Sequence, residues 1–156
     1  MADTAGPEAR LAALGLELPE IAAPLAAYTP TARTGNLVFT AGQLPLRKGE
    51  LITTGTVGGA VNVDEAVMCA QQCALNALAA VKAEVGDLAA VRRVVKVVVF
   101  VSSAPDFTAQ AQVANGASEL LGEVFGEAGR HARSAVGVAV LPLDAPVEVE
   151  LVVEVG

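Results

Sequence analysis

Residues 94–101, VVKVVVFV, constrain the fold more than any other stretch. Apart from Lys96 they are Val and Phe, so they read as a strand. Apolar side chains fall at both odd and even positions, which means both faces of that strand need cover. The chain offers only two long helical stretches, and one face of a sheet takes both. The second cover is most simply another copy of the chain.

Residues 130–155 carry the chemistry. From Arg133 to Val140 the chain alternates: Ser134, Val136, Val138 and Val140 point one way, Arg133, Ala135, Gly137 and Ala139 the other. From Val147 to Val155 the odd positions are all apolar, while Glu148, Glu150 and Glu154 lie between them. Each strand therefore has a core face and a polar-bearing face. Paired as a hairpin with core faces matched, the two strands would put Arg133 and the glutamates together, above a floor of Ala and Gly with room for a small ligand.

The remaining elements follow in order. Residues 1–26 are expected to be an N-terminal extension, with a short helix from Pro7 to Leu14 starting near Thr4 or Pro7 and breaks at Pro19 and Pro24. The domain proper is 27–156. Strands are expected at 27–33, 37–41 and 50–53, as a three-strand meander with turns at Gly35-Asn36 and at 47–49. The Gly-rich stretch 54–61 matches no phosphate-binding pattern and reads as a flexible connection. A helix should start at an Asn62 or Asp64 cap and stop at Gly86, with Ala66, Ala70, Cys73, Ala74, Ala77 and Val81 inward and Gln71, Gln72 and Lys82 mostly outward. A second helix is expected over 110–125. The order β-β-β-α-β-α-β-β describes an α+β fold: one mixed sheet with both helices on one face.

Composition narrows the function. A chain of 156 residues suits one domain. It is 53% hydrophobic but 3% aromatic, so Ala and Val carry the packing. A net charge of -7 argues against nucleic acid as partner, which needs a basic surface. No apolar run is long enough to span a membrane and no secretory signal is visible, so a soluble cytoplasmic protein is expected. Cys69 and Cys73 follow no redox or zinc spacing, and His131 is the only histidine. A metal site is therefore not expected.

Several polar residues have two readings each. Arg133 either clamps a carboxylate bidentately or pairs with a glutamate across the strands. Glu148 or Glu150 is either a general base with a burial-raised pKa or part of a solvated sheet face. Tyr28, the only tyrosine, either lines a pocket or simply packs. Asn115 either edges a pocket or decorates a helix surface.

The chain resembles the RidA/YjgF family, also called endoribonuclease L-PSP. The resemblance covers roughly residues 28–155. Its matching pieces are Gly35-Asn36, 37–40, Gly42-Gln43-Leu44-Pro45, Val97–Val101 with Asp106-Phe107, Ala132-Arg133-Ser134, Leu141-Pro142 and Val147-Glu148-Val149-Glu150. It implies a chorismate-mutase-like fold assembled as a homotrimer, with three sheets forming a barrel, helices outside and active sites between subunits. It also implies cofactor-free hydrolysis of small enamine and imine carboxylates, such as 2-aminoacrylate, to a 2-oxo acid and ammonia. By resemblance Arg133 binds the substrate carboxylate and Glu148 orients or activates water. Tyr28 and Asn115 line the pocket, Gly42 gives a backbone contact, and Ala135 can hold water through its carbonyl. Where the family usually has Ser, Cys and Pro, this chain has Ala41, Ala135 and His131. A trimer that only binds a small carboxylate metabolite is the alternative, which Ala41 and Ala135 favour. Ribonuclease activity, the family's older label, is opposed by the acidic charge.

Overall fold

The computed structural model describes residues 5–21 and 27–156. Its main sheet has five strands in the order β1-β2-β7-β5-β6. These are β1 (Thr31–Thr34), β2 (Leu37–Thr40), β5 (Val91–Ser102), β6 (Ala132–Val138) and β7 (Val147–Val155). β5 and β6 run parallel and the other pairs antiparallel, so the sheet is mixed. Two further strands, β3 (Leu46–Arg47) and β4 (Glu50–Leu51), form a separate hairpin. The expected three-strand meander is thus a two-strand hairpin plus this small one. Lys48 and Gly49 at its tip have φ of 53° and 82°, the left-handed conformation of a tight turn.

Three helices accompany the sheet. Helix α1 (Pro7–Ala13) caps with Gly6 and has Pro at its first turn. The Thr4 start and the Pro24 break lie outside the described residues. Leu11 is buried in the core, and Arg10 donates to the Val124 carbonyl at 3.3 Å. Helix α2 (Val63–Val85) opens with a capping box: Asn62 accepts from Glu65 N–H and Glu65 accepts from Asn62 N–H. It ends at Gly86, φ 91°. Helix α3 (Gln110–Phe125) spans the expected residues and ends at Gly126, φ 61°.

The core lies between these helices and one sheet face. Val97, Val99 and Val101 of β5 and Val147, Val149, Leu151 and Val153 of β7 are buried against the inward residues of α2 and α3. Burial of each such side chain stabilises by about 1.5–3 kcal/mol. Gly116 lets α3 approach α2, because a Cβ there would lie 3.0 Å from the Val67 carbonyl carbon and closer to its oxygen. Cys69 and Cys73 are free thiols within this core.

Four expectations need correction. β6 and β7 do not pair; β5 runs between them. The 54–61 stretch is pinned rather than a flexible connection. Val57 and Val61 are fully buried, and Val57 N–H bonds the Ser102 carbonyl at 2.8 Å. Gln72 is buried, not outward, because the β3–β4 hairpin covers it and Arg47 donates to its side chain at 3.3 Å. The fourth concerns β6. Arg133, Ala135 and Gly137 stand opposite Val97, Val99 and Val101, so they face the helices, while exposed Val136 looks out from the bare side. Alternation divides a strand into two faces but does not say which is inside.

Among the described residues no helix covers the other sheet face. Phe39 and Val136 on it are 42% and 44% exposed. Among the described residues no helix is long and apolar enough to cross a membrane.

Candidate functional site

Arg133 sits on edge strand β6, under α3. Ala111, Asn115 and Ser118 follow at i, i+4 and i+7, which places them in one stripe along that helix. Arg133 donates through Nη1 to Asn115 Oδ1 at 2.8 Å and to Ser118 Oγ at 3.1 Å. Nη2 donates to the Ala111 carbonyl at 3.3 Å. Ala135 and Gly137 continue the same face of β6, where a side chain on Gly137 would meet Gln110 and Ser103. These positions put no large side chain beside the guanidinium on that face.

His131 precedes Arg133 by two residues. Its Nε2 is 2.8 Å from Ser118 Oγ and its Nδ1 is 2.6 Å from the Gly129 carbonyl. Sequence reasoning assigned no role to Ser118 or to this histidine. The signal was present: Ser118 is one helical turn after Asn115, and His131 has the parity of Arg133.

Glu148 belongs to a second cluster. It stands opposite Phe100, three residues from the Val97 that faces Arg133, so it projects from the bare side of the sheet. Within one protomer Arg133 and the glutamates therefore lie on opposite faces, contrary to the shared face that a β6–β7 hairpin would give. Gly42 is packed against the Glu148 carboxyl: a Cβ at Gly42 would lie 2.8 Å from Glu148 Cδ. The loop that carries Gly42 is held by paired Gln43–Val149 backbone hydrogen bonds of 2.8 and 3.0 Å. Burial raises the Glu148 pKa, and the neighbouring Glu150 adds to the shift.

Tyr28 lies just before β1, at the sheet edge far from β6, and is 46% exposed. Four strand spacings separate these edges, roughly 19 Å. The residues expected at the site thus fall into two sets. Arg133, Asn115 and Ala135 occupy the β6–α3 side; Glu148 and Gly42 meet on the bare face, with Tyr28 beyond them.

A cavity of about 810 Å³ lies elsewhere, between residues 15–21, the β3–β4 hairpin and α2. Its two buried amides are already engaged, Gln72 donating to Asn76 and Asn76 to the Leu44 and Leu46 carbonyls. No group of three or more His, Cys, Asp or Glu that could hold a metal ion occurs among the described residues. Burial pushes Cys69 up to about 11 and Cys73 well above the ordinary thiol value, so neither is a ready nucleophile.

The family model described as "YjgF/chorismate_mutase-like, putative endoribonuclease" matches residues 8–155. The chain belongs to the YjgF/chorismate mutase-like family. Helix α1 falls almost wholly within that match. Protein TCP17 of Trypanosoma cruzi is 47% identical over 149 residues, covering 95% of this chain and 93% of that protein. A crystal structure of a "putative endoribonuclease" from Shewanella oneidensis superposes with a TM-score of 0.94 at 36% identity, covering 97% and 100% of the two chains. A more distant YjgF-like structure, E. coli TdcF with bound serine, gives 0.63 at 25% identity, covering 89% and 94%.

Proposed function

We propose that this protein is a cofactor-free hydrolase of small imine and enamine carboxylates, working in clefts between the subunits of a homotrimer. The observation that carries the reading is the Arg133 guanidinium. It has five N–H donors, of which α3 takes three. Nε–H and one Nη2–H are left, two donors on a planar fork that match the two oxygens of a carboxylate. Asn115 adds to this: its Oδ1 accepts from Arg133, so its NH₂ is turned outward as a further donor. The bound serine of TdcF, a small molecule with a carboxylate, supports a ligand of this class.

The bare sheet face supports the assembly. Phe39 and Val136 on it, together with the open ladders of β1 and β6, favour association. Closing three sheets into a barrel covers the apolar face and removes the open edges. In that arrangement the β1–β2–β7 side of one copy, with Tyr28, Gly42 and Glu148, meets the β6–α3 side of the next, with Arg133, Asn115 and Ala135. Each cleft then holds a carboxylate clamp and a base.

The chemistry follows from those parts. Arg133 holds the substrate carboxylate. A water on Glu148 gives up a proton to the Glu148 carboxylate as its oxygen bonds the imine carbon. The C=N electron pair moves to nitrogen, which takes a proton. The carbinolamine then collapses: nitrogen takes the proton that Glu148 accepted from water, the hydroxyl gives its proton back to Glu148 as the carbonyl of the 2-oxo acid forms, and the C–N bond breaks so that ammonia leaves. An enamine such as 2-aminoacrylate first takes a proton at its terminal carbon. The imine carbon is already electrophilic, so the step asks for proximity and proton transfer. The upward shift of Glu148 makes it a stronger base than an exposed carboxylate. Ala135 leaves room beside the water, and its carbonyl can bind it.

The name endoribonuclease, attached to the family and to the Shewanella protein, is not adopted. A net charge of -7 opposes binding to a phosphate backbone.

The test generates 2-aminoacrylate with a lyase and follows pyruvate and ammonia. The protein should accelerate both. Arg133→Ala should lower the rate by about a hundredfold or more, since it loses two charge-assisted hydrogen bonds worth about 1.5–3 kcal/mol each. A fully active Arg133→Ala protein would sink the reading. Pyruvate binding without turnover would replace it with a non-catalytic carboxylate binder.

A further inference from the structure

We infer that His131, acting through Ser118, is a positioning residue for Arg133: a hydrogen-bond chain of one fixed direction aims the guanidinium fork. This rests on the reading of Arg133 as a carboxylate clamp and adds two residues to it.

The direction of the chain follows from which groups can donate. A guanidinium only donates, so Ser118 Oγ accepts from Arg133. The Ser118 hydroxyl hydrogen then has to go elsewhere, and His131 Nε2 stands 2.8 Å away. A carbonyl only accepts, so His131 Nδ1, 2.6 Å from the Gly129 oxygen, carries the ring hydrogen. In the neutral ring Nε2 is then bare and accepts the serine hydrogen. The chain runs from Arg133 to Ser118 to His131 to Gly129, with every group satisfied. The opposite tautomer sets two lone pairs against each other at Gly129. It also aims two donors at Ser118 and strands its hydroxyl hydrogen.

The far end of the chain is rigid. Gly129 is buried, and a Cβ there would lie 2.8 Å from the Leu121 carbonyl carbon and 3.1 Å from Gly122 Cα. Gly129 is therefore held against the backbone of α3, the helix that also carries Ala111, Asn115 and Ser118. Both ends of the chain share one scaffold. With both Nη1 hydrogens and one Nη2 hydrogen engaged, the fork cannot turn about its own axis. Without Ser118 one Nη1 hydrogen is released; without His131 the Ser118 hydroxyl loses the acceptor that fixes its direction, its lone pair turns off the Nη1 hydrogen, and in either case the fork can swing.

The experiment compares Ser118→Ala, Ser118→Thr, His131→Phe and the Ser118→Ala/His131→Phe double variant of the full chain. Pyruvate binding is measured by calorimetry, with pyruvamide as the uncharged control. Ser118→Ala and His131→Phe should each weaken pyruvate binding about three- to tenfold, the scale of one hydrogen bond. Pyruvamide binding should not change. The double variant should be no weaker than the worse single one, because both break the same chain. Ser118→Thr, which keeps the hydroxyl, should bind within about twofold of the unaltered protein, the scatter expected when one hydrogen bond is kept. Under turnover KM should rise more than kcat falls. Additive losses, equal losses for pyruvamide, or a Ser118→Thr variant as weak as Ser118→Ala would overturn the inference.

A measurement on the unaltered protein covers the case of variants that misfold. Nitrogen NMR of the His131 ring should show Nδ1 protonated and Nε2 bare; the other tautomer overturns the chain. The two readings fail separately. Equal pyruvate binding by Arg133→Ala and the unaltered protein would remove the carboxylate clamp. The His131 tautomer, and faster solvent exchange of the Arg133 Nη1 hydrogens in Ser118→Ala, would still decide whether the chain positions the guanidinium.

Discussion

Gly42→Ala tests the proposed site by displacing one carboxyl group. The new Cβ would lie 2.8 Å from Glu148 Cδ and 3.1 Å from Cγ, and closer still to Oε1. Ordinary contact begins at 3.4 Å, so Cδ must retreat by at least 3.4 − 2.8 = 0.6 Å and Oε1 by more. The obstacle is the far end of a flexible side chain, so the fold can accommodate it. An off-rotamer glutamate costs about 0.5–1.5 kcal/mol, a fall in Tm of a few degrees in a chain of this size. A base moved by about 1 Å costs about a hundredfold in rate. The expected result is therefore a folded protein with kcat down about a hundredfold and KM nearly unchanged, read from pyruvate release. Carbon NMR should also show the Glu148 carboxyl titrating closer to the ordinary value as it swings out of its pocket. Full turnover by a folded Gly42→Ala protein would refute the placement of Glu148 as the base.

Two further outcomes follow from the packing around Gly116 and Glu148. Gly116→Ala puts a methyl against the Val67 carbonyl, which is backbone and cannot turn aside. It should destabilise by about 1–3 kcal/mol in a denaturant titration, with any loss of activity tracking the loss of folded protein. Glu148→Gln changes the pH dependence of stability. The native Glu148 pKa is raised by burial and by Glu150, so between the ordinary carboxylate value and that raised value the native state holds more protons than the unfolded one. Stability falls as pH rises through that window, and the full penalty persists above it. Glu148→Gln removes the penalty, so melting curves should converge with the unaltered protein below the ordinary carboxylate pKa. At neutral pH the variant should be the more stable of the two. A larger stabilisation in acid than at neutral pH would contradict the sign of the shift.

The parts of the fold that were legible in the sequence are those fixed by local chemistry. Asn62 and Glu65 form a capping box that announces the start of α2, and Gly86 marks its stop. The alternation of Val147–Val155 gave the buried row of β7 correctly. Neighbours in the sheet are a different matter. Nothing within 130–155 says that β5 runs between β6 and β7, because a strand's alternation is silent about its partner. Nor does alternation say which row is inside: the row of Arg133, Ala135 and Gly137, not that of Ser134, Val136 and Val138, takes the helix side, and this leaves Glu148 on the bare side without Arg133. Arg133, Asn115, Gly42 and Glu148 were still singled out in the sequence, since their types and the family resemblance did not depend on pairing. Ser118 and His131 were missed for the converse reason. A serine and a histidine become meaningful only when a register sets them between a guanidinium and a buried carbonyl.

The back-to-back placement of Arg133 and Glu148 carries a genetic consequence if neighbouring copies complete each cleft. A chain defective in its guanidinium and a chain defective in its carboxylate, each inert alone, still have one sound half apiece. Co-assembled, they can rebuild an intact crevice where the two sound halves abut, so two crippled alleles would complement one another.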